Sequence, residues 1–195
     1  MEWTIRLAAD GNGEFGAVMS GRPILLRFAA VSGDLEAQSA LLDATIRLGR
    51  VASPATVVPI AIAQVHALRA VLARSRGRSR KALLALAARA AEFTGWMAQE
   101  TGDAAAANWW TDRAVEFAVE YGDRDLAEYA NVRRALVTLY DGRAKQTVEL
   151  AERVRAMHAI SPRVRWLAAL RAAQGHALAG EATLCASAIE HAHTL

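Results

Sequence analysis

The chain is punctuated at a regular interval. Gly102-Asp103, Gly142-Arg143 and Gly180-Glu181 fall 40 and 38 residues apart, and the stretches between them break once more, at Gly122-Asp123 and Ser161-Pro162. Each turn is flanked by segments with the apolar period of an α-helix. Glycine followed by a polar residue suits a helix end, because a left-handed residue closes the last turn and the next side chain can start a new helix. Three helical hairpins in tandem are the sequence mark of an α-solenoid. The composition agrees: alanine supplies 45 of the 195 residues, glycine 13 and proline only 4. That favours helix and argues against a β-sandwich, a collagen-like chain or disorder.

Residues 1–33 read differently from residues 34–195. Trp3, Ile5 and Leu7 alternate with Thr4, Arg6 and Ala8, Asp10-Gly11-Asn12-Gly13 follows, and Phe15 to Met19 resumes the pattern. This is a strand, turn and strand, a short N-terminal β-hairpin. Pro23 then opens either a short apolar helix or a third strand through Phe28 to Val31. From Asp34, a plausible N-cap, a helical stripe runs through Leu35, Leu42 and Ile46, with Leu41 and Leu48 alongside, to Gly49. Ser53-Pro54 starts a second helix with Val57, Ile60, Val65, Leu68 and Leu72 on its apolar face. Gly77 breaks the pattern before the repeats. The helical pairs are then expected at about residues 79–121, 124–157 and 162–193.

Small residues mark where paired helices cross in tetratricopeptide repeats. Counted from the turns, those positions are Gly95, Ala107 and Ala114 in the first pair, Ala135, Thr147 and Val154 in the second, and Ala173, Cys185 and Ala192 in the third. The period exceeds the usual 34, so the helices are longer than in the common repeat. The fold class expected is therefore all-α, a tetratricopeptide-like α-solenoid of helical hairpins preceded by the hairpin.

Particular motifs add a resemblance. They are Glu92, Phe93, Gly95, Trp96, Ala98, Gly102 and Asp103, in the pattern EF-x-GW-x-A-x-x-x-GD; WTDRA at Trp110 to Ala114; GDRDLA at Gly122 to Ala127; TVELAE at Thr147 to Glu152; and Pro162 to Glu181. Over roughly residues 55–195 the chain resembles the C-terminal tetratricopeptide-like domain of actinobacterial helix-turn-helix regulators of the xenobiotic-response type. The resemblance implies a sensor or scaffold module in transcriptional regulation. Residues 1–50 show no helix, turn and recognition helix, so the DNA-reading domain of that family has no counterpart there.

Charge is unevenly placed. Residues 61–90 hold seven basic side chains and no acidic one (Arg69, Arg74, Arg76, Arg78, Arg80, Lys81 and Arg89), whereas residues 91–195 hold eleven basic against fourteen acidic. The basic run reads as a solvated inter-helix loop or a phosphate-attracting patch. No aromatic residue interleaves it, and the repeats are slightly acidic, which argues against direct nucleic-acid binding.

A solenoid presents one concave face, lined by the first helix of each pair. That face should carry Arg89, Glu92, Phe93, Trp96 and Gln99, then Tyr129, Arg133 and Leu136 beside Val132, then Arg171 and Gln174 beside Leu167 and Leu170. Arg133 and Arg171 stand at equivalent places and could together hold a carboxylate or phosphate, or else each lies over a neighbouring carboxylate such as Glu92 or Glu128. Trp109 and Trp110 point about 100° apart on a helix, so one should pack inside while the other borders a groove or partner.

Catalytic signatures are missing: there is no GxSxG, P-loop, post-strand GxGxxG or CxxC, and the five histidines do not assemble into a metal or catalytic set. No cofactor or metal is expected. The lone Cys185 forms no intramolecular disulfide, the N-terminus lacks a signal-peptide core, and no stretch reaches 18 apolar residues without a charge, so a cytoplasmic location without a membrane span is expected. The expectation for function is a binding or sensor module that takes a peptide or small-molecule ligand in its groove and acts on a regulatory protein partner. The rivals are a small helical enzyme of specialised metabolism and a homodimeric scaffold paired through its last helix.

Overall fold

The computed structural model describes residues 3–7, 13–19, 22–28, 35–157 and 159–195. Three strands, β1 (Trp3–Leu7), β2 (Gly13–Met19) and β3 (Arg22–Phe28), form an antiparallel sheet in the order β1-β2-β3. Phe15 of β2 pairs with Ile5 of β1 and Leu26 of β3. Of the two outcomes left open at Pro23, the strand is realised, and β3 lies at the sheet edge, where a residue without an N–H is tolerated. Asp10 to Asn12 of the turn, Val31 and the Asp34 cap lie outside the described residues.

Among the described residues eight helices follow: α1 (Leu35–Leu48), α2 (Pro54–Leu72), α3 (Gly77–Glu100), α4 (Ala104–Tyr121), α5 (Arg124–Tyr140), α6 (Ala144–Arg155), α7 (Pro162–Leu178) and α8 (Ala182–His193). The helical part of the chain is all-α. Each helix packs on the next, and α5 also packs on α7. The glycine turns act as their chemistry requires. Gly102, Gly122, Gly142 and Gly180 have φ between 73° and 88°. The N–H of the following residue returns to the helix it leaves: Asp103 to Ala98 O, Asp123 to Ala118 O, Arg143 to Thr138 O and Glu181 to His176 O. Asp103 and Asp123 then cap the next helices by accepting from the Ala106 and Leu126 N–H groups at 2.8 and 3.0 Å.

The crossings are close. A Cβ on Gly95 would stand 3.2 Å from the Ala107 carbonyl oxygen and 3.3 Å from Trp110 Cβ, so α3 and α4 meet backbone to backbone at the first expected crossing. Ala135, Thr147 and Val154 are fully buried at the second. There the Thr138 and Thr147 hydroxyls lie 2.9 Å apart, with Ala135 O within reach of the first and Arg143 O of the second at 3.0 Å, so that one hydroxyl can donate to the other while the second donates to its backbone carbonyl. At the third, Ala173 and Ala192 are buried, and Cys185 is half-buried against the Ala151, Ala172, Ala173 and Ala188 cluster.

The core is uneven. Around α2, α3 and α4 it contains Leu42, Val65, Leu68, Leu72, Leu83, Leu84 and Trp110, each large side chain contributing about 1.5–3 kcal/mol by burial. Towards α8 it thins to alanine, and Leu184 and Ile189 remain largely exposed.

Several boundaries depart from expectation. α3 starts at Gly77 itself, two residues early, so Arg78, Arg80 and Lys81 belong to its first turns rather than to a loop. The pair expected to end at residue 157 ends its second helix at Arg155. In α1 the buried face is Gln38, Leu42 and Thr45, while Leu41 is 49% exposed and Leu35 also faces out. A polar tie lies on that buried face, Gln64 Nε2 of α2 donating to the Gln38 backbone carbonyl at 3.1 Å. α2 is long and apolar enough to cross a membrane, with mean hydropathy 1.6, which the sequence reading did not anticipate. In this fold Val57, Val65 and Leu68 of α2 are fully enclosed against α1, α3 and α4.

Candidate functional site

α3, α5 and α7, the first helices of the three pairs, carry the candidate groove. Measured from the crossing residues Gly95, Ala135 and Ala173, the side chains two residues earlier are Phe93, Arg133 and Arg171. The structure gives these equivalent residues three different environments.

Phe93 does not line the groove. It is buried in a cluster with Val57, Ala61 and Met97, and the α1–α2 corner closes over it, so that a Cβ on Gly49 would come within 2.8 Å of the Phe93 ring. The expected groove role of Phe93 is therefore corrected to core packing. Trp96 is half-buried beside it, edge-on at 5.9 Å, its Nε1–H donating to Glu100 Oε1 at 3.1 Å.

Arg133 is 8% exposed and forms an ion pair with Glu92, whose side chain is 28% exposed. The same nitrogen lies 3.2 Å from the Tyr129 hydroxyl, and the guanidinium sits 5.5 Å from the Tyr129 ring centre. One of the two expected anion-holding arginines is thus already neutralised, across α3 and α5, by one of the carboxylates the sequence offered. Removing two such charges from water costs several kcal/mol per ion, which the ion pair and the Tyr129 contact at Nη2 offset in part, while the enclosed Arg133 Nε has no partner among the described residues.

Arg171 differs. Its Nη1 donates to Gln174 Oε1 at 2.5 Å, and among the described residues no carboxylate pairs with it; its Nε, like that of Arg133, has no hydrogen-bond partner there. Burial pushes its guanidinium below the ordinary value; Tyr129 opposes that shift, Arg133 adds to it, and Tyr140 opposes it. Arginine does not give up its proton under ordinary conditions. A lowered value on such a group therefore means a poorly solvated cation beside a second cation, an arrangement that an incoming anion would stabilise.

Two recesses border this row. One, of about 340 Å³, lies at the start of α5 and α7 and includes Arg89, Glu92, Tyr129, Arg163 and Leu167. Arg89 is half-exposed there, 3.7 Å from Asp43. The wall is pinned by Asp125 Oδ1, which accepts the Ser161 N–H at 2.8 Å and so fixes α7 to α5. The other, of about 360 Å³, lies at the ends of α3 and α5 and includes Gln99, Glu100, Val137, Tyr140 and Asp141. Both polar atoms of the Gln99 amide are enclosed without a hydrogen-bond partner among the described residues, a burden of about 1–3 kcal/mol for each group. Leu136 is half-buried and Gln174 exposed.

Tyr140, Val137 and Arg163 were not singled out from the sequence. For Tyr140 the signal was present, since Tyr129, Arg133, Leu136 and Tyr140 continue one helical stripe.

Outside the groove, Trp110 is buried and Trp109 is 46% exposed, their rings 4.6 Å apart and nearly perpendicular, with the Arg113 guanidinium 5.3 Å from the Trp109 ring. Of the two tryptophans, one packs inside as expected and the other is exposed. His66 meets Trp110 edge-on at 6.2 Å, and burial, then the Arg69 charge, holds its pKa below the ordinary value. His158 lies outside the described residues. Arg80 in the basic run donates to Glu120 Oε1 and to the Leu72 carbonyl, so this cation stitches the start of α3 to α4 and α2.

No family model, curated protein or solved structure matches the chain.

Proposed function

We propose that the chain is a tetratricopeptide-like binding module whose concave face, formed by α3, α5 and α7, takes a peptide or small-molecule ligand through an acidic group held by Arg171. The observation that carries this reading is the half-buried Arg171, without a carboxylate and beside an arginine already neutralised. The mechanism is electrostatic and positional. The Glu92–Arg133–Tyr129 set fixes α3 to α5 and leaves one uncompensated cation in the groove, and its planar donors can take a carboxylate or phosphate oxygen pair. The resemblance to regulator sensor domains supports a cytoplasmic, regulatory or scaffold role, in which occupancy of the groove biases association with a protein partner.

Isothermal titration of the full chain with a pooled tetrapeptide library bearing free C-termini, and with a panel of small organic acids, tests the assignment. Binding that Arg171→Ala weakens by more than about tenfold is the expected result, one charged hydrogen bond being worth that much. Equal affinity in the wild-type chain and in Arg171→Ala would remove the site.

A further inference from the structure

Thr111, Ala151 and Ile189 hold equivalent places on α4, α6 and α8, each at the same distance past its turn glycine, Gly102, Gly142 or Gly180. Thr111 and Ala151 are 4% and 0% exposed, whereas Ile189, the most apolar of the three, is 40% exposed. In the two earlier pairs a following helix lies on this side. α7 lies on α6, with Ala172 in one cluster with Ala151, and so close that a Cβ on Gly175 would stand 2.7 Å from Val148 Cγ2. α5 lies on α4 and reaches it with a charge, Arg134 donating to Asp112 at 2.5 Å. α8 packs on α7, and among the described residues no further helix covers its other side. There Ala186 and His193 are exposed beside Ile189, whereas their counterparts on α6, Val148 and Arg155, are half-buried. The equivalent surfaces of one chain therefore show what kind of element this face receives: an α-helix.

An acid in the same row narrows the occupant. Asp112, Glu152 and Glu190 are equivalent too. Asp112 meets Arg134 of the following helix, and Glu152 meets Arg155 of its own. On α8 a histidine, His193, stands at the place of Arg155, and Glu190 forms no ion pair among the described residues. A second copy of the chain would bring its own α8, ATLCASAIEHAH, which has no arginine or lysine to set against Glu190. A helix with a basic residue placed as Arg134 is on α5 would answer both the isoleucine and the acid. We propose that the face of α8 carrying Ala186, Ile189, Glu190 and His193 docks an amphipathic helix of a partner protein, its apolar stripe on Ile189 and a basic side chain on Glu190. That helix continues the stack, taking the place on α8 that α5 takes on α4 and α7 takes on α6. The surface uses no residue of the groove, so its failure would leave the site at Arg171 standing.

The test uses the full chain and a fluorescent peptide with the sequence of α5, Arg124–Tyr140, the helix that occupies this place on α4. The peptide is lactam-stapled, because a helix of that length is marginal alone, and amidated at its C-terminus, so that it offers Arg171 no terminal carboxylate. Fluorescence anisotropy should show binding to the parent chain, weakened more than about tenfold by Ile189→Asp, which sets a carboxylate against the apolar stripe. Glu190→Arg should weaken it about fivefold, and so should Arg134→Glu in the peptide, whereas the two changes together should restore it. Both chain substitutions lie on an exposed face and should leave the melting temperature unchanged, and Arg171→Ala should leave the affinity unchanged. No binding to the parent, affinity indifferent to Ile189→Asp, or a charge exchange that restores nothing would overturn the proposal. Binding lost in Arg171→Ala would move the peptide to the groove and overturn it as well. So would sedimentation of the chain alone that showed a dimer broken by Ile189→Asp, since a second copy would then be the occupant.

Discussion

Neutralising Glu92 should destabilise the protein and tighten anion binding at the same time. Arg133 is 8% exposed and Glu92 28%, so the pair lies between two regimes. Exposed pairs contribute about 0.2–1 kcal/mol, whereas removing one partner of a fully buried pair costs about 3–5 kcal/mol because the other charge is stranded. With Arg133 enclosed and Glu92 partly open to water, Glu92→Gln should cost about 2 kcal/mol, roughly a thirtyfold change in the folding equilibrium. For a chain of this size that is a fall of about 4–8 °C in melting temperature. The amide keeps an acceptor for Arg133, so the loss reports charge rather than a missing hydrogen bond. The double variant Glu92→Leu with Arg133→Met replaces the pair by apolar groups and should recover most of the loss. Urea unfolding of the single and double variants measures both terms. In the same Glu92→Gln protein, Arg133 loses the carboxylate that pairs with it, so the Arg133 and Arg171 cations are less compensated and any acid bound at Arg171 should bind more tightly. A single variant within about 0.5 kcal/mol of the parent, the range of an ordinary surface change, or a double variant no better than the single, would refute the view that Glu92 compensates a buried charge.

Two further outcomes follow from local geometry. A Cβ on Gly175 would lie 2.7 Å from Val148 Cγ2 and 3.2 Å from the Val148 nitrogen, so Gly175→Ala should cost about 1–3 kcal/mol by overpacking despite the better helix propensity of alanine; Val148→Ala in the same chain should return part of it in a melting experiment. The folded pKa of His66 is held below the unfolded value of about 6.5, so the folded state resists the proton. Its contribution is complete above that unfolded value and is lost as pH falls from it towards the lower folded value. His66→Gln should therefore flatten the stability profile in that window, and unchanged slopes by chemical denaturation would dissociate His66 from it.

Much of the fold was legible because glycine has few reasons to recur at a fixed interval. Gly102, Gly142 and Gly180 predict left-handed helix ends, and each adopts one. Gly95 predicts a close crossing, and the distances bear that out. Gly175 was legible only as a helix interior residue, because its reason for being glycine is Val148 on α6. The burial of α1 was misread for a similar cause. A stripe of leucines reports apolarity, but which side turns inward depends on what α2 and α3 present to α1, including Gln64, which bonds the Gln38 backbone carbonyl from 26 positions away.

The site was partly legible for the same reason the repeats were. Phe93, Arg133 and Arg171 occupy one repeat position, and a sequence reading that treats equivalent positions alike places all three in the groove. What separates them is the environment around each position, which the spacing within a repeat does not encode. The α1–α2 corner covers Phe93, and an apolar ring suits a site sealed from water. One step along, α3 supplies Glu92, so the position can hold a buried cation as half of a pair. At α7 the position keeps the cation without a carboxylate among the described residues. The series from apolar to paired to unpaired charge runs from α3 through α5 to α7, and of the three positions the last alone holds a charge that no carboxylate pairs among the described residues. A ligand acid is the simplest group that answers it, which is why Arg171 rather than Arg133 is the residue on which binding should depend.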